Sequence, residues 1–551
     1  MIKNSDNYLK NYKGPYKKVV IPKDISDITA YVNEVLQNIE EHTVVSFETG
    51  VYLVSTAFVL KNKKDIIIEG NNSVFLQNFV SEEGTKSSDI FHVNDCEDIT
   101  LRNFSIDTSG PVNISGKIAD VGDDYLDLKL NNAIPFTGKE KFRAGYTFSE
   151  EGYPIYGLIL NKEREKNVYD VIGGEICCTN PRWADIPYEK ISEDTVRISS
   201  LLREPDGSFP ENIPIEKGNT FCMRYIEYGP VACLFRNTHR VIIEDVNVHS
   251  FGGMVFVIVP RCSDFVFNRV VIAPKNPDSQ LHSSDCDGIH TTGLMGKLLI
   301  QDCVFRSLGD DSLNAHTQVM RADYVTQNSV KIAYDKVKPI ISPLWAEKGD
   351  VLFVYDSHTL KRKKDIIVKE FKDETVYFDS EMDIIADDVL VNSAYHPEIT
   401  IDNCVSYNMR GRAYVIQGAK KLVVKNCEFY NVAGPAVYIS SAFQSWLEGG
   451  RVENVEIYNN YISGCKTWAT YLLAAIHIWI RSQYDGIVHN VHKNISIHDN
   501  VFENIKGQSV YVTATDTVSV KDNVLVNCGY ENKELEINGC TNCTVENNTL
   551  I

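Results

Sequence analysis

The chain has 551 residues, 43% of them hydrophobic and 23% charged, which supplies material for a large core and excludes disorder as its main state. Its formal net charge of −19 makes nucleic acid and anionic membrane surfaces poor partners and favours a neutral ligand over a polyanion. Met1 to Tyr8 lack the apolar core of a secretory signal, and no run reaches the length of a membrane span. The expected location is therefore the cytoplasm for the chain as given, or a secreted or periplasmic one if a leader was removed.

In chain order, residues 27–40 read as a short amphipathic helix closing one end of the fold. Residues 44–52 read as a first strand with a turn at Gly50, and further strand-rich segments lie near 66–74 and 99–106. From 241 onward one phrase recurs, a short alternating strand closed by an Asn/Asp-rich pair. Leu298-Leu299-Ile300-Gln301-Asp302-Cys303, Ile399-Thr400-Ile401-Asp402-Asn403-Cys404, Leu422-Val423-Val424-Lys425-Asn426-Cys427 and Val518-Ser519-Val520-Lys521-Asp522-Asn523 are examples. Cys404 to Cys427 and Asn500 to Asn523 are each 23 residues, and Asn523 to Asn548 is 25.

A fixed period with several β-branched strands and no intervening amphipathic helix predicts an all-β solenoid, the right-handed parallel β-helix, with turns stacked about 4.8 Å apart. Asn suits the bends because its side chain hydrogen-bonds local backbone and tolerates the left-handed region. The competing reading is a β-sandwich with accidental Asn-rich turns. Two stretches break the period, which divides the chain into a cap and first rungs (1–106), a β-barrel-like insertion (107–238), rungs 239–320, a second β-barrel-like insertion (321–396) and C-terminal rungs (397–551). Of the fourteen cysteines, Cys303, Cys404 and Cys427 share one repeat position and read as stacked buried thiols rather than disulfides. No Cys/His cluster has zinc spacing, and no metal or cofactor is expected.

Asp287-Gly288-Ile289-His290 returns 24 residues later as Asp311-Ser312-Leu313-Asn314, one repeat on. Asp287 and Asp311 should then occupy consecutive turns with carboxylates about 4.8 Å apart, able to share a proton or grip a water. Asp310 falls in register with Cys286 and needs a bend at Gly309 to reach the same groove. Arg412 lies as far past Cys404 as Asp311 lies past Cys303, so its guanidinium should stack beside Asp311.

An inverting glycosidase holds its acid and base about 6.5–9.5 Å apart, which three aspartates on two rungs could supply. His290 and Asn314 repeat one polar position as candidate substrate contacts, with His316 close by. Trp446 and Glu448 are candidates for a sugar-stacking face and a hydroxyl acceptor, while Trp479 and Arg481 read as packing. Isolated Asp-Asp pairs more often cap strands or hold calcium; the aligned Asp287, the His/Asn pair and Arg412 outweigh that here.

Together, Asp287-Gly288-Ile289-His290, Gly296-Lys297-Leu298-Leu299-Ile300-Gln301-Asp302-Cys303-Val304-Phe305, Asp310-Asp311-Ser312-Leu313-Asn314-Ala315-His316 and Arg410-Gly411-Arg412-Ala413 resemble glycoside hydrolase family 110, inverting α-galactosidases on a β-helix. The resemblance covers most of the chain and is strongest from about 239 to 320. It implies Asp310 as general acid, Asp287 with Asp311 positioning and activating water, and terminal α-1,3-linked galactose as substrate, in blood-group-B-type or linear glycans. Family 28 polygalacturonases share the aspartate trio, but their Gly-His-Gly and Arg-Ile-Lys segments are absent. The alternatives are another β-helix carbohydrate enzyme, polygalacturonase-like or a polysaccharide lyase, and a non-catalytic carbohydrate-binding solenoid. The aglycone, tolerance of a fucosyl branch and assembly as a homo-oligomer are open at this level.

Overall fold

The computed structural model describes residues 15–551 apart from 80–86, 111–112, 124, 131–154, 161–170, 179–187, 200–216, 225–229, 277–279, 281, 334–341, 343, 380–382, 444–446, 466–473, 481–489, 506 and 530–533. Its body is a coil with three short strands per full turn. Glu398–Asp402, Val405–Tyr407 and Tyr414–Gln417 make one turn. Lys421–Lys425, Glu428–Tyr430 and Val437–Ile439 lie on it in parallel register, Ile399 facing Leu422 and Tyr414 facing Val437. Parallel pairing continues from Lys17–Ile21 at one end to Thr549–Leu550 at the other. The first strand is thus earlier than expected, and the strand expected over 44–52 is two, Thr43–Phe47 and Val51–Val54, separated by a corner of the coil.

The recurring phrase marks one bend of every turn. Asp302, Asn403, Asn426, Asn459, Asp499, Asp522 and Asn547 all have φ between 54° and 56°, where a short polar side chain is tolerated and a β-branched one is not. The residue after each bend points inward. Cys303, Cys404 and Cys427 are buried free thiols there. Asn460, Asn500, Asn523 and Asn548 continue the row as a ladder: Asn500 Nδ2 donates to Ile457 O and to Asn523 Oδ1, while Asn500 Oδ1 accepts the Asn460 N–H. A buried polar row is tolerable because each amide is satisfied by its neighbours. Most of the remaining interior is apolar, one cluster running from Ile21 through Phe104, Phe267 and Ile401 to Leu525.

Ile28–Asn38 is the helix expected near the N-terminus. Asp27 accepts the Ala30 N–H at its start, and Ile28, Val32 and Leu36 face the core, covering the end of the coil.

Two antiparallel sheets leave the coil. In the first, seven strands lie in the order Val171–Cys178, Ile155–Leu160, Thr220–Arg224, Asn113–Val121, Tyr125–Leu130, Thr195–Ser199, Tyr188–Lys190. Among the described residues these seven strands form one sheet with two edges, within the segment expected as a β-barrel-like insertion. Val231–Arg236 is already back in the coil, parallel to Phe91–Asn94 and Met254–Ile258, so the coil resumes before 238. The recurring phrase marks a different side of the turn and cannot flag this strand.

The second insertion begins as an extension of the coil strand Leu313–Val325. Its order is Glu370–Lys372, Thr375–Tyr377, Ser329–Ala333, Leu313–Val325, Val389–Asn392, Val351–Tyr355, Ile366–Ile367. The two edge strands are nearly consecutive in sequence, so this sheet curls around a core of Met320, Trp345, Leu352, Val376 and Leu390. Arg261, a buried residue of the coil, pins it by ion pairs to Asp350 and Glu347 and a bond to Leu344 O.

Candidate active site

The aspartates stand where the coil turns from one strand into the next. Ser307 takes φ 55°, Leu308 bridges Ser284 on the previous turn, and the Gly309 N–H donates to Ser284 O at 2.7 Å. A Cβ on Gly309 would lie 2.4 Å from Asp285 O, so only glycine allows this approach. The bend delivers Asp310 into the same groove as Asp287 and Asp311, one oxygen of each lying within 4.8 Å of the others. Gly411 clears the far side, since a Cβ there would meet Asp311 Oδ1 at 2.9 Å and Asp310 Oδ1 at 3.0 Å.

Register explains which residues meet. Ile289 faces Leu313, Leu313 faces Tyr414, and His290 faces Asn314, so Asp287, Asp311 and Arg412 are successive members of one row. Met254 precedes them and Pro435 follows, which limits the acidic segment to two turns. Along that row each carboxylate reaches the peptide of the next turn. Asp287 Oδ1 accepts the Asp311 N–H at 3.1 Å, and Asp311 Oδ1 accepts the Arg412 N–H at 2.9 Å. Arg412 Nε and Nη2 then donate to Asp311 Oδ1 and Oδ2 at 3.0 and 2.8 Å, the stacking that the repeat predicts. Its guanidinium also lies 5.3 Å from the Tyr438 ring centroid.

Asp287 and Asp311 are 3% and 1% exposed, whereas the Asp310 side chain keeps 19%. Burial pushes the Asp287 carboxyl well above the ordinary range and the charge of Asp310 adds to it, against the Asp311 N–H and Arg412. Burial also raises Asp311, but there Arg412 opposes it most strongly. Arg410 sits 3.9 Å from Asp310 and donates to Gly309 O at 2.6 Å. Three carboxylates against two guanidinium groups leave one negative charge, so a single proton neutralises the group. That is the state an acid–base pair requires.

The row's outward neighbours form a polar wall. His290 Nδ1 is 2.7 Å from Asp287 Oδ2, its Nε2 is 3.2 Å from His316 Nε2, and Thr292 Oγ1 touches both rings. Glu448 Oε1 approaches His316 Nε2 at 3.8 Å, carried there by the short pairing of Glu448–Gly449 with Thr317 and Gln318. Asn314 is 7% exposed, and its Oδ1 accepts no hydrogen bond among the described residues. Asp287, Asp310, Asp311, His290, Asn314, His316, Arg412 and Glu448 thus gather on adjacent turns. Trp446 and Arg481 lie outside the described residues. Trp479 packs against Val415 and Tyr438 and donates Nε1–H to the Tyr438 hydroxyl.

One oxygen of each aspartate lies within 4.8 Å of the others because all three crowd onto one corner of the coil. The register that places Arg412 beside Asp311 also places Arg410 beside Gly309, a contact the sequence reading does not include. The three oxygens are also close enough to hold a cation, yet the Arg412 guanidinium already occupies both oxygens of Asp311, which favours proton handling.

Residues 388–550 match the family described as right-handed beta helix region, which gives the coil its hand. The chain is similar to Alpha-1,3-galactosidase A of Shewanella woodyi, at 24% identity over 496 residues, 85% of this chain and 75% of that one. It is similar to Alpha-1,3-galactosidase B of Bacteroides thetaiotaomicron, at 22% over 527 residues, 92% of this chain and 82% of that one. Among solved structures, an exopolygalacturonase from Thermotoga maritima aligns with 98% of this chain and 94% of its own at 12% identity and a TM-score of 0.45.

Proposed function

We propose that this chain is a galactosidase-type glycoside hydrolase that releases terminal α-1,3-linked galactose from glycans, blood-group-B-type or linear, with inversion at the anomeric carbon. The observation that carries the reading is the asymmetry of the three aspartates: two buried with both oxygens held, one at the groove edge. Asp310, open to the groove, is the general acid that protonates the leaving oxygen. Asp287 and Asp311 hold and deprotonate the attacking water. Names of relatives similar over most of the chain support the sugar and linkage. Asn314 Oδ1, the two histidines and Glu448 offer acceptors and donors for the hydroxyls of a neutral sugar.

The hold on the buried carboxylates supports inversion. A nucleophilic aspartate must project an oxygen onto C1 and form an ester, whereas each oxygen here already accepts from a peptide, an imidazole or a guanidinium. Retaining pairs stand about 5–5.5 Å apart and inverting pairs about 6.5–9.5 Å, and the two schemes release opposite anomers. NMR of the first-formed sugar decides between them. β-Galactose first is expected, α-galactose first requires the retaining scheme, and no galactose from any α-galactoside overturns the reading.

A further inference from the structure

The geometry points to a division of labour within the buried pair: Asp287 is the base that takes the proton of the attacking water, and Asp311 is an anchor tied to Arg412 that takes no proton in the reaction. The inference rests on the hydrolase reading above and assigns separate roles to residues that reading treats together.

A carboxylate has about four acceptor sites. On Asp311 three are filled, by the Arg412 N–H, Nε–H and Nη2–H. On Asp287 two are filled among the described residues, by the Asp311 N–H and His290 Nδ1–H. Asp287 therefore retains more capacity to accept from water. The partners also differ in kind: a guanidinium never gives up its charge and pulls Asp311 toward its ionised form, whereas an imidazole can support a carboxylate without fixing its ionisation. Burial and the facing charge of Asp310 raise the Asp287 carboxyl; burial raises Asp311 as well, with Arg412 the strongest force against it.

His290 is the positioning residue for this base. If its proton sat on Nε2, the Nδ1 lone pair would face Asp287 Oδ2 at 2.7 Å and repel it. With the proton on Nδ1, Nε2 is an acceptor, and His316 Nε2–H at 3.2 Å supplies the donor. The second imidazole thereby holds the tautomer of the first.

The water oxygen bonds to C1 and gives one proton to Asp287; the bond from C1 to the aglycone oxygen breaks, its electron pair going to that oxygen, which takes the Asp310 proton. Asp311 takes no proton. The base finishes protonated and the acid finishes ionised within the same cluster, so its net charge is unchanged.

Asp287→Ala and Asp311→Ala are compared on an activated aryl α-galactoside with sodium azide. Asp287→Ala is expected to lose about 10²–10⁴-fold and to regain about tenfold or more with azide, forming β-galactosyl azide as the small anion enters the vacated water site. Asp311→Ala is expected to form no glycosyl azide. Glycosyl azide from Asp311→Ala, from both variants or from neither overturns the division. A second measurement needs no substrate: in an Asp310→Asn background, the carboxyl infrared band that appears first on acidification should vanish with Asp287→Asn and persist with Asp311→Asn. The reverse overturns the division. If the wild-type protein cleaves no α-galactoside, the activity reading fails while the infrared titration still decides the roles.

Discussion

Replacing Arg412 by Met isolates what the guanidinium does for Asp311. Methionine keeps the peptide N–H that Asp311 Oδ1 accepts and fills similar volume beside Tyr438, but removes the two guanidinium bonds at 3.0 and 2.8 Å. Two charge-assisted bonds of about 1.5–3 kcal/mol each give about 3–6 kcal/mol, in line with about 3–5 kcal/mol for breaking one side of a buried ion pair. The carboxyl has an escape, since it can take a proton and cease to be a bare buried anion. Burial already raises Asp311 above the ordinary range against the pull of Arg412, so removing Arg412 raises it further.

A carboxyl raised on folding binds more protons folded than unfolded between its unfolded value, about 4, and its folded value. Its contribution to stability therefore falls as pH rises through that window, by about 1.4 kcal/mol per pH unit, and levels off above it. The deficit of Arg412→Met should be small near pH 5 and grow toward pH 8. Urea unfolding at pH 5, 6.5 and 8 measures it, and adding Asp311→Asn should recover most of the loss and abolish its pH dependence. A deficit that is flat in pH, or as large in the Asp311→Asn background, refutes the electrostatic account of this pair.

Asp310→Asn should slow sugars with poor leaving groups by about 10²–10⁴-fold while sparing activated aryl galactosides; Asp287→Asn and Asp311→Asn should impair both, and equal substrate ratios for all three variants would contradict the assignment of the acid. Asn500→Ala strips the acceptor from the Asn460 N–H and a donor from Asn523 Oδ1, each buried loss worth about 1–3 kcal/mol. Hydrogen exchange should quicken in the adjoining turns, Glu453–Tyr458 and Thr515–Lys521, before Lys64–Gln77 is affected; unchanged protection there would show that the ladder contributes nothing.

Much of the site was legible because a coil turns spacing along the chain into neighbourhood in space. The left-handed bend admits Asn or Asp and so writes the period into the sequence, and the alternation of a strand decides which side each residue faces. From these local rules Asp287 aligns with Asp311, His290 with Asn314, and Arg412 beside Asp311. The rules end where the repeat does. The direction of Asp310 depends on the approach of Gly309 to Ser284, a contact made between turns. Glu448 reaches His316 through a pairing between Gln318 and a distant short strand. In the first insertion, Ile155–Leu160 lies between Val171–Cys178 and Thr220–Arg224, an antiparallel order no period announces. Bends and strand alternation cost or gain free energy residue by residue and leave a local signature. Partners separated by many tens of residues are chosen only by the packing and hydrogen bonding of the completed chain, so tertiary structure alone decided how close the three carboxylates stand.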